Sequence, residues 1–308
     1  MLPLAVSEHY RAQQRLIVAT LGLTRREWAS MGADFDASWA KVGPRLVLLT
    51  ASAQLGAARA GALSVPATLA ELGQDVAPLA EVNARGFAGV ASDGRPLDSL
   101  LYGAVTQAKT AAVTDPSTAL AKGGAWLDMA VHTMVADAGR GASGVAIAAR
   151  PKVGYIRMVN PPCCSRCAIL AGKWFKWNEG FKRHPRCDCT HVSVKEDTPA
   201  GLIGAPDDLF RNGQVKGLTE GQRKAVADGA DPSQVINADR RVFVGGKFVS
   251  SSSGMTTTEG TTRRGVAGAR MGATKGKRAA RLTPDAIYRL ASDRTEALAL
   301  LQRHGYVL

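Results

Sequence analysis

The chain has 308 residues, of which 45% are hydrophobic and 6% aromatic, and its formal net charge at pH 7 is +13. It is long enough to bury a core, and scarce aromatic residues with abundant Ala and Gly favour close-packed helices over an aromatic-rich β-sandwich. Charged residues within positions 1–20 interrupt any signal-peptide core, so we expect no signal peptide. No run of about eighteen apolar residues is present, so we expect no membrane span.

The positive charge is concentrated in the second half of the chain. Residues 1–150 carry 13 basic and 12 acidic side chains, residues 151–195 carry nine and two, and residues 196–308 carry 17 and 12. A localised positive field attracts polyanions, nucleic acid first among them. A solvated basic surface that only maintains solubility is the alternative.

Residues 5–150 are predicted to be helical. Thr24 and Glu27 have the spacing of a capping box, and apolar residues then recur every three to four positions from Trp28 to Val42. Pro44 is expected to interrupt this helix, and a second helix is expected to cover residues 46–60. Further helices are predicted over residues 66–72, 77–86, 97–113 and 117–138.

Glycine and proline set the boundaries of these predicted helices. Gly61 and Pro66 are expected to form a turn, and Gly139, Gly141 and Gly144 to end the last helix. His132 is expected to lie on a helix face or in the core rather than to bind a metal.

A small α+β unit is predicted around the cysteines. Residues 154–159 and 190–194 have the alternation of strands, and their pairing would bring the two cysteine-rich segments together. Residues 173–177 are predicted to form a third short strand. The aromatic side chains of this region are expected to pack over the cysteines, with base stacking as the alternative; they are Trp174, Phe175, Trp177 and Phe181.

After residue 196 the sequence predicts a linker, a helix over 219–228, a hairpin over 241–249 and a flexible Ser/Thr/Gly run over 250–260. Thr283 and Pro284 are expected to begin one terminal helix, and Ser292 to cap a second that Gly305 follows. The predicted fold class is mainly α, with a Cys/His-rich α+β mini-domain and a flexible basic C-terminal region ending in short helices. The expected segments are 1–150 (helical), 151–195 (mini-domain), 196–260 (linker with hairpin) and 261–308 (basic arm and helices).

All five cysteines lie within residues 163–191, together with His184 and His191. Two short chelating loops that offer thiolate and imidazole are typical of tetrahedral zinc sites. In a reducing compartment such clusters bind metal more often than they form disulfides. The preferred ligand set is Cys164, Cys167, His184 and Cys187, with Cys189 and His191 as further candidates; Cys163 is expected to point away.

Three interpretations of this cluster remain open at this point: a structural metal site, a disulfide-linked or reduced cluster without metal, and a catalytic metal or reactive thiol. A catalytic zinc usually has a carboxylate base beside it. Only Glu179 and Asp188 are local, in spacings that match no hydrolase pattern. We therefore expect no enzymatic activity and no catalytic residue.

A second basic feature lies near the C-terminus. Residues 261–281 contain seven basic side chains and no acidic one. Such a run fits a disordered arm that binds DNA or an acidic protein surface. The candidate nucleic-acid-binding residues are Arg263, Arg264, Arg270, Lys275, Lys277, Arg278 and Arg281.

The motifs resemble those of a known family. Cys164-Ser-Arg-Cys167, Leu170-Ala-Gly-Lys173-Trp-Phe175 and His184-Pro-Arg-Cys187-Asp-Cys189 are similar to the end of the head-morphogenesis domain of tailed phages, the Mu F-like minor capsid family. Its members show a C-x-x-C, an L-x-G-K/Q turn followed by an aromatic residue, and an H-P-x-C-x-C finish after a set of helices. The resemblance covers about residues 20–195. Residues 282–289 and 297–306 are similar to an extension in members from phages of actinobacteria.

The resemblance implies a minor structural protein of the phage head. It implies association with the portal, the major capsid protein or both during assembly, and oligomerisation through the portal. The implied location is the virion, in the head interior or portal region, after assembly in the host cytoplasm. Packaged DNA is then a possible partner of the basic run. The alternative function is a nucleic-acid-binding protein with a zinc knuckle and a basic arm.

Overall fold

The computed structural model describes residues 3–179, 185–196, 206–238, 242–244, 247–249, 256–274 and 279–307, the strands at 242–249 by their backbone alone. The chain forms two compact units. Unit 1 comprises Met1–Met158 and Gly172–Ile203, and unit 2 comprises Val159–Ala171 and Gly204–Leu308. These boundaries differ from the four expected segments, because a short piece of the cysteine-rich region belongs to unit 2.

The described helices are α1 Leu4–Trp28, α2 Phe35–Glu71, α3 Leu97–Leu101, α4 Gly103–Thr114, α5 Ala119–Ala148, α6 Ser165–Ala168, α7 Pro206–Arg211, α8 Glu220–Ala227, α9 Pro232–Ala238, α10 Val266–Arg270, α11 Pro284–Leu290 and α12 Arg294–Arg303. The described strands are β1 Val153–Met158, β2 Cys163–Cys164, β3 Trp174–Phe175, β4 Thr190–Lys195, β5 Val215–Lys216, β6 Val242–Val244, β7 Lys247–Val249, β8 Thr256–Thr257 and β9 Arg281–Leu282. The expected fold class, mainly α with a small cysteine-rich α+β part, is confirmed.

The first helical boundary was predicted wrongly. Thr24 is not a cap but a buried residue inside α1, where its Oγ1 donates to the carbonyl oxygen of Leu21 at 3.3 Å. The chain breaks between Trp28 and Phe35, and Asp34 caps α2 by accepting a hydrogen bond from the Ala37 amide at 3.0 Å. The apolar repeat therefore continues across a break, because residues on both sides face the same core.

Both expected proline interruptions of α2 are also wrong. Pro44 and Pro66 lie inside one continuous helix of 37 residues. An interior proline costs about 3 kcal/mol relative to Ala. The long helix packs against both α1 and α5, and this burial offsets the lost backbone hydrogen bonds.

Gly61 and Gly139 form a helix crossing rather than a turn and a helix end. A Cβ atom on Gly61 would overlap the Gly139 carbonyl oxygen, and Ser143 Oγ donates to the Gly61 carbonyl oxygen at 2.9 Å. Glycine at both positions lets α2 and α5 approach closely. This contact explains why α5 continues to Ala148 through the glycines that were expected to end it.

The helix predicted over residues 77–86 is wrong as well. The region contains only a 3₁₀ turn at Ala84–Phe87. The helix predicted over residues 97–113 forms in two pieces, α3 and α4.

The sheet of unit 1 has the strand order β3-β1-β4 and is antiparallel throughout. Its central pairs include Tyr155 with Phe175 and Arg157 with His191, which confirms the predicted pairing of the flanking strands. One face packs on Val65 of α2 and Ile147 of α5, and the other on Val6 of α1. Both faces are thus covered by helices.

Within the described residues, a single helix, α2, is long and apolar enough to cross a membrane, judged by length and composition alone. The buried core helices of soluble proteins have the same length and composition. Leu46, Ala57 and Leu69 of α2 are buried within unit 1.

Unit 2 is built from short elements. Parallel β2 and β5 pair Cys163 with Val215, β6 and β7 form the predicted hairpin, and β8 pairs with β9. The predicted helix at 219–228 forms as α8, with a capping box between Thr219 and Gln222. Pro206 begins α7 within the expected linker.

The C-terminal helices follow the sequence closely. Thr283 caps α11, which begins at Pro284, as predicted. The cap of α12 is Asp293 rather than Ser292, because the Asp293 carboxylate accepts from the Glu296 amide at 2.8 Å. Thr256 and Thr257 form β8 and do not belong to a flexible run, whereas positions 250–255 of that run lie outside the described residues.

Candidate metal centre

Unit 1 fixes the second cysteine-rich segment through its backbone. Arg186 has a φ of +60°, which few residues other than glycine adopt, and its amide donates to Thr133 Oγ1 of α5 at 3.1 Å. The chain then runs through Cys187 and Cys189 into β4. Both cysteines are buried, at 1% and 2% exposure, and their Sγ atoms lie 3.2 Å apart.

Asp188, between the two cysteines, ties the segment to α1. Its carboxylate accepts hydrogen bonds from Tyr10 Oη and Gln14 Nε2, both at 2.8 Å. Burial and this hydrogen bond to Asp188 raise the pKa of Tyr10 well above its usual value, so the phenol remains a donor. The alternation of side chains along the segment thus directs the carboxylate to α1 and the sulfurs inward.

Arg140 of α5 holds the same segment from another side. Its Nη1 donates to the carbonyl oxygens of Cys187 at 2.7 Å and Cys189 at 3.3 Å, and its Nη2 donates to Asp137 at 2.7 Å. Burial opposes the charged form of this guanidinium, but the charges of Asp137, Cys189 and Cys187 outweigh it and raise the pKa of Arg140. The cation therefore orders the backbone that carries both sulfurs.

Arg157 of β1 faces the sulfurs themselves. Its side chain is 1% exposed, and its Nη2 lies 3.3 Å from Cys189 Sγ and 3.7 Å from Cys187 Sγ. Charge-assisted hydrogen bonds are the strong ones, so a buried guanidinium favours anionic sulfur beside it. The environment suits thiolates, which are the form of cysteine that binds metal.

Cys167 completes a group of three sulfurs. The Sγ atoms of Cys167, Cys187 and Cys189 all lie within 4.8 Å of one another, and all three residues are buried. Ligands about 2.3 Å from a tetrahedral zinc ion lie about 3.8 Å apart. The separation of 3.2 Å between Cys187 and Cys189 and the upper bound of 4.8 Å lie on either side of that value. The donor set therefore fits a thiolate-binding metal ion.

The other expected ligands have different positions. Cys164 caps α6, where its Sγ accepts from the Cys167 amide at 3.3 Å, and it is not in the group of three. The His191 ring lies 4.2 Å from the Tyr155 ring. His184 lies outside the described residues. All five cysteines, each of them described, are thiols rather than disulfides.

The aromatic residues near the cysteines divide by exposure. Phe175 stacks on Tyr155 with ring centroids 5.2 Å apart, and Trp174 is partly buried. Trp177 is 57% exposed, and Phe181 lies outside the described residues. Phe175 thus packs within the sheet.

Sequence reasoning missed both arginines of the site. Arg157 is a charged residue in a strand whose six positions are all buried, and Arg140 follows Gly139 on a largely buried helix. A cation within an apolar element was the available signal, since such residues are seldom buried without a partner.

His132, also on α5, is partly buried. Burial is the largest cause that lowers the pKa of His132, and the positive charges of Arg140 and Arg186 lower it further.

The expected nucleic-acid-binding residues are not equivalent. Arg263 and Arg264 are exposed, and Arg270 donates to the carbonyl oxygens of Gln302 at 3.2 Å and Val307 at 2.8 Å. Lys275, Lys277 and Arg278 lie outside the described residues.

Arg281, expected to bind nucleic acid from a flexible basic arm, is instead buried. It is 0% exposed, and its guanidinium lies 4.4 Å from the centre of the Tyr306 ring. Burial lowers the pKa of Arg281. In this structure Arg281 belongs to the interior of unit 2, because its aromatic and carbonyl partners enclose it.

No family model matches the chain, and comparisons with the curated proteins and with the solved structures give no significant match.

Proposed function

We propose that the chain is a minor structural protein of a phage head, which acts in head assembly at the portal or the inner capsid. The observation that carries the proposal is the convergence of Cys167, Cys187 and Cys189, three cysteines of the phage-like motif, in one buried group. The motif resemblance supplies the biological setting. The helical fold before the motif agrees with what that resemblance implies.

The construction of the site favours a scaffold over a catalyst. A catalytic zinc keeps a coordination position open to substrate. Here Cys187 and Cys189 are 1% and 2% exposed, and Arg140 and Arg157 cover their carbonyl oxygens and sulfurs. Such a site fixes loops in place.

The proposed cofactor is a structural Zn²⁺ ion held by Cys167, Cys187 and Cys189. Its fourth ligand belongs to the remaining candidates Cys164, His184 and His191. Three thiolates and one divalent cation leave one negative charge, and Arg157 offsets it within hydrogen-bond distance of two sulfurs. The ion would link two cysteine-rich segments that are far apart in the sequence.

Metal analysis with thiol titration tests the cofactor. Purified protein should contain about one zinc per chain. Cys187→Ser and Cys167→Ser should lose metal and soluble yield together. Cys163→Ser is the matched control, since it also replaces a buried cysteine but one outside the group of three. Normal metal content in both test variants would refute the ligand assignment.

Co-purification tests the assembly role. The chain should bind portal rings, or portal together with major capsid protein, when they are produced together, and head yield should fall without it. Failure to bind either component, with zinc content normal, would overturn the assembly role and leave the metal site standing.

A nucleic-acid-binding function is the second candidate, favoured by the exposed Arg263 and Arg264. It predicts sequence-tolerant DNA affinity that falls steeply with salt and weakens when both arginines are neutralised. A filter-binding titration at several salt concentrations measures it. Strong DNA affinity without portal binding would favour this candidate over the head protein.

A further inference from the structure

Although residues 1–150 are nearly neutral in total, α1 and α2 each contain a long stretch with basic residues and no acidic one. Between Glu8 and Glu27, α1 carries four arginines and no acidic residue. Between Asp36 and Glu71, α2 carries Lys41, Arg45 and Arg59 and again no acidic residue. The acidic side chains that balance the count lie near helix ends or elsewhere in the unit.

A groove of about 590 Å³ runs between these two helices. Ala12 and Ala60 are among the small residues that line it, Leu63 stands beside them at 70% exposure, and Arg11 and Arg15 line the α1 side. Leu4 and Val18, on the same helix as the arginines, are exposed at 58% and 67%. Among the lining residues, Leu63 and the alanines therefore provide apolar surface beside Arg11 and Arg15.

The arginines of this region are available to a partner. Arg11, Arg15 and Arg59 are exposed, and none of them takes part in the ion pairs of the described residues. By contrast Arg25 pairs with Asp128 at 2.8 Å, and Arg45 pairs with Glu27 at 3.5 Å. Of these exposed arginines, Arg11 and Arg15 line the groove, and Arg59 directly precedes its lining residue Ala60.

We propose that the α1–α2 groove is the docking site for an acidic amphipathic helix of a partner protein. An apolar face of that helix would contact Leu63 and the alanines, and its carboxylates would pair with Arg11 and Arg15. The eleven positions from Ala5 to Arg15 span about 16 Å of helix, which accommodates about three turns. Glu8 also lines the groove, and it would set the direction of the bound helix because it repels an acidic residue placed opposite it.

Two other occupants fit the surface less well. A second copy packed on the same face would place arginines against arginines, which is unfavourable. A membrane would require several large apolar side chains, whereas Leu63 is the one large apolar residue among those that line the groove. The inference goes beyond the assembly role and is independent of the metal site.

The test uses the whole 308-residue chain as purified and a fluorescent synthetic peptide of about eighteen residues, with leucines on one helical face and glutamates on the other. Fluorescence anisotropy should show saturable binding that weakens with salt. The Arg11→Glu/Arg15→Glu variant and the Leu63→Glu variant should each weaken binding at least about tenfold. Arg11→Lys/Arg15→Lys should bind within about threefold of the original chain.

Arg26→Glu is the matched control, because Arg26 is exposed on α1 but does not line the groove. It should leave binding unchanged, and circular dichroism and metal content should be normal for every variant. Equal loss in the control, absence of peptide binding, or preference for anionic phosphatidylserine vesicles over the peptide would overturn the proposal. Groove-dependent self-association in light scattering would overturn it in favour of a second copy.

Discussion

Each unit of the chain buries an arginine almost completely, but the two side chains have different surroundings. In unit 1, Arg157 is 1% exposed and its Nη2 faces the sulfurs of Cys187 and Cys189. In unit 2, Arg281 is 0% exposed, lies over the Tyr306 ring, and donates to the carbonyl oxygen of His304 at 3.2 Å. Both arginines make non-covalent contacts between parts of the chain that are distant in sequence.

The difference lies in the acceptors that each buried cation meets. A carbonyl oxygen and an aromatic face have a fixed charge distribution once the chain is folded. A sulfur is a weak acceptor as a thiol and a strong one as a thiolate, and a bound metal keeps it in the thiolate form. The Arg281 site is therefore complete in the polypeptide alone, whereas the Arg157 site is expected to depend on the proposed zinc ion.

Removal of metal should give the largest contrast between the two sites. After treatment with a strong zinc chelator, backbone amides of residues 186–195 should exchange with solvent on the order of 100-fold faster, because their segment loses a link. Exchange within residues 281–306 should stay unchanged. Hydrogen-exchange mass spectrometry resolves the two regions. Equal acceleration of amide exchange in both regions, or no acceleration in residues 186–195, would contradict the expected difference between the two arginine sites.

Replacement of Arg281 should destabilise unit 2 whether metal is present or not. Arg281→Ala should lower the free energy of unfolding by about 3 kcal/mol, because it removes a stacked, hydrogen-bonded group and leaves a cavity. Urea unfolding measures the loss. Arg289→Ala, at an exposed arginine of α11, should change stability by less than about 0.5 kcal/mol. A fall in zinc content in Arg281→Ala would remove the distinction between the sites.

Replacement of Arg157 should affect metal binding more than folding. Arg157→Met keeps much of the side-chain volume but removes the positive charge, so zinc affinity should fall by about 10–100-fold. Competition with a chelator of known affinity measures it. In the chelated protein the variant should be no less stable, since its buried cation is gone. Arg166→Met, at an exposed arginine beside Cys167, should keep the original affinity.

The elements that sequence predicted correctly are those with local causes. Thr219 with Gln222 and Thr283 with Pro284 carry capping chemistry that acts within one helical turn, and both helices form where expected. The pairing of β1 with β4 also follows from alternation on both strands. The convergence of cysteines follows in turn, because these strands adjoin the motif.

The failures have tertiary causes. Pro44 and Gly61 are helix breakers by propensity, but the packing of α2 on α1 and α5 outweighs that preference. Arg140 and Arg157 were missed, and Arg281 was taken as a nucleic-acid-binding residue, because a charged residue in a sequence does not reveal its buried partners. The sulfurs and carbonyl oxygens that surround these arginines lie many positions away in the chain.

The smallest expected effect tests the acid response of unit 2. Asp228 accepts from Tyr288 Oη at 2.6 Å and from Arg294 Nε at 2.9 Å. Burial acts to raise the pKa of Asp228, but these hydrogen bonds and the Arg294 charge outweigh it, so the pKa is lower than in the unfolded chain. The carboxylate therefore stabilises the fold above the unfolded pKa of about 3.9, and this contribution is lost as the pH falls through the folded pKa.

Asp228→Asn should accordingly be less stable than the original chain at pH 7, by up to about 1 kcal/mol, and the gap should narrow toward pH 3. Urea unfolding at a series of pH values measures the gap, and Asp207→Asn, at an exposed carboxylate of α7, serves as the control. Because the interaction needs no metal, the gap should be the same with and without chelator. A gap that widens in acid would reverse the assigned sign, and one that depends on chelator would mean that the metal also supports unit 2.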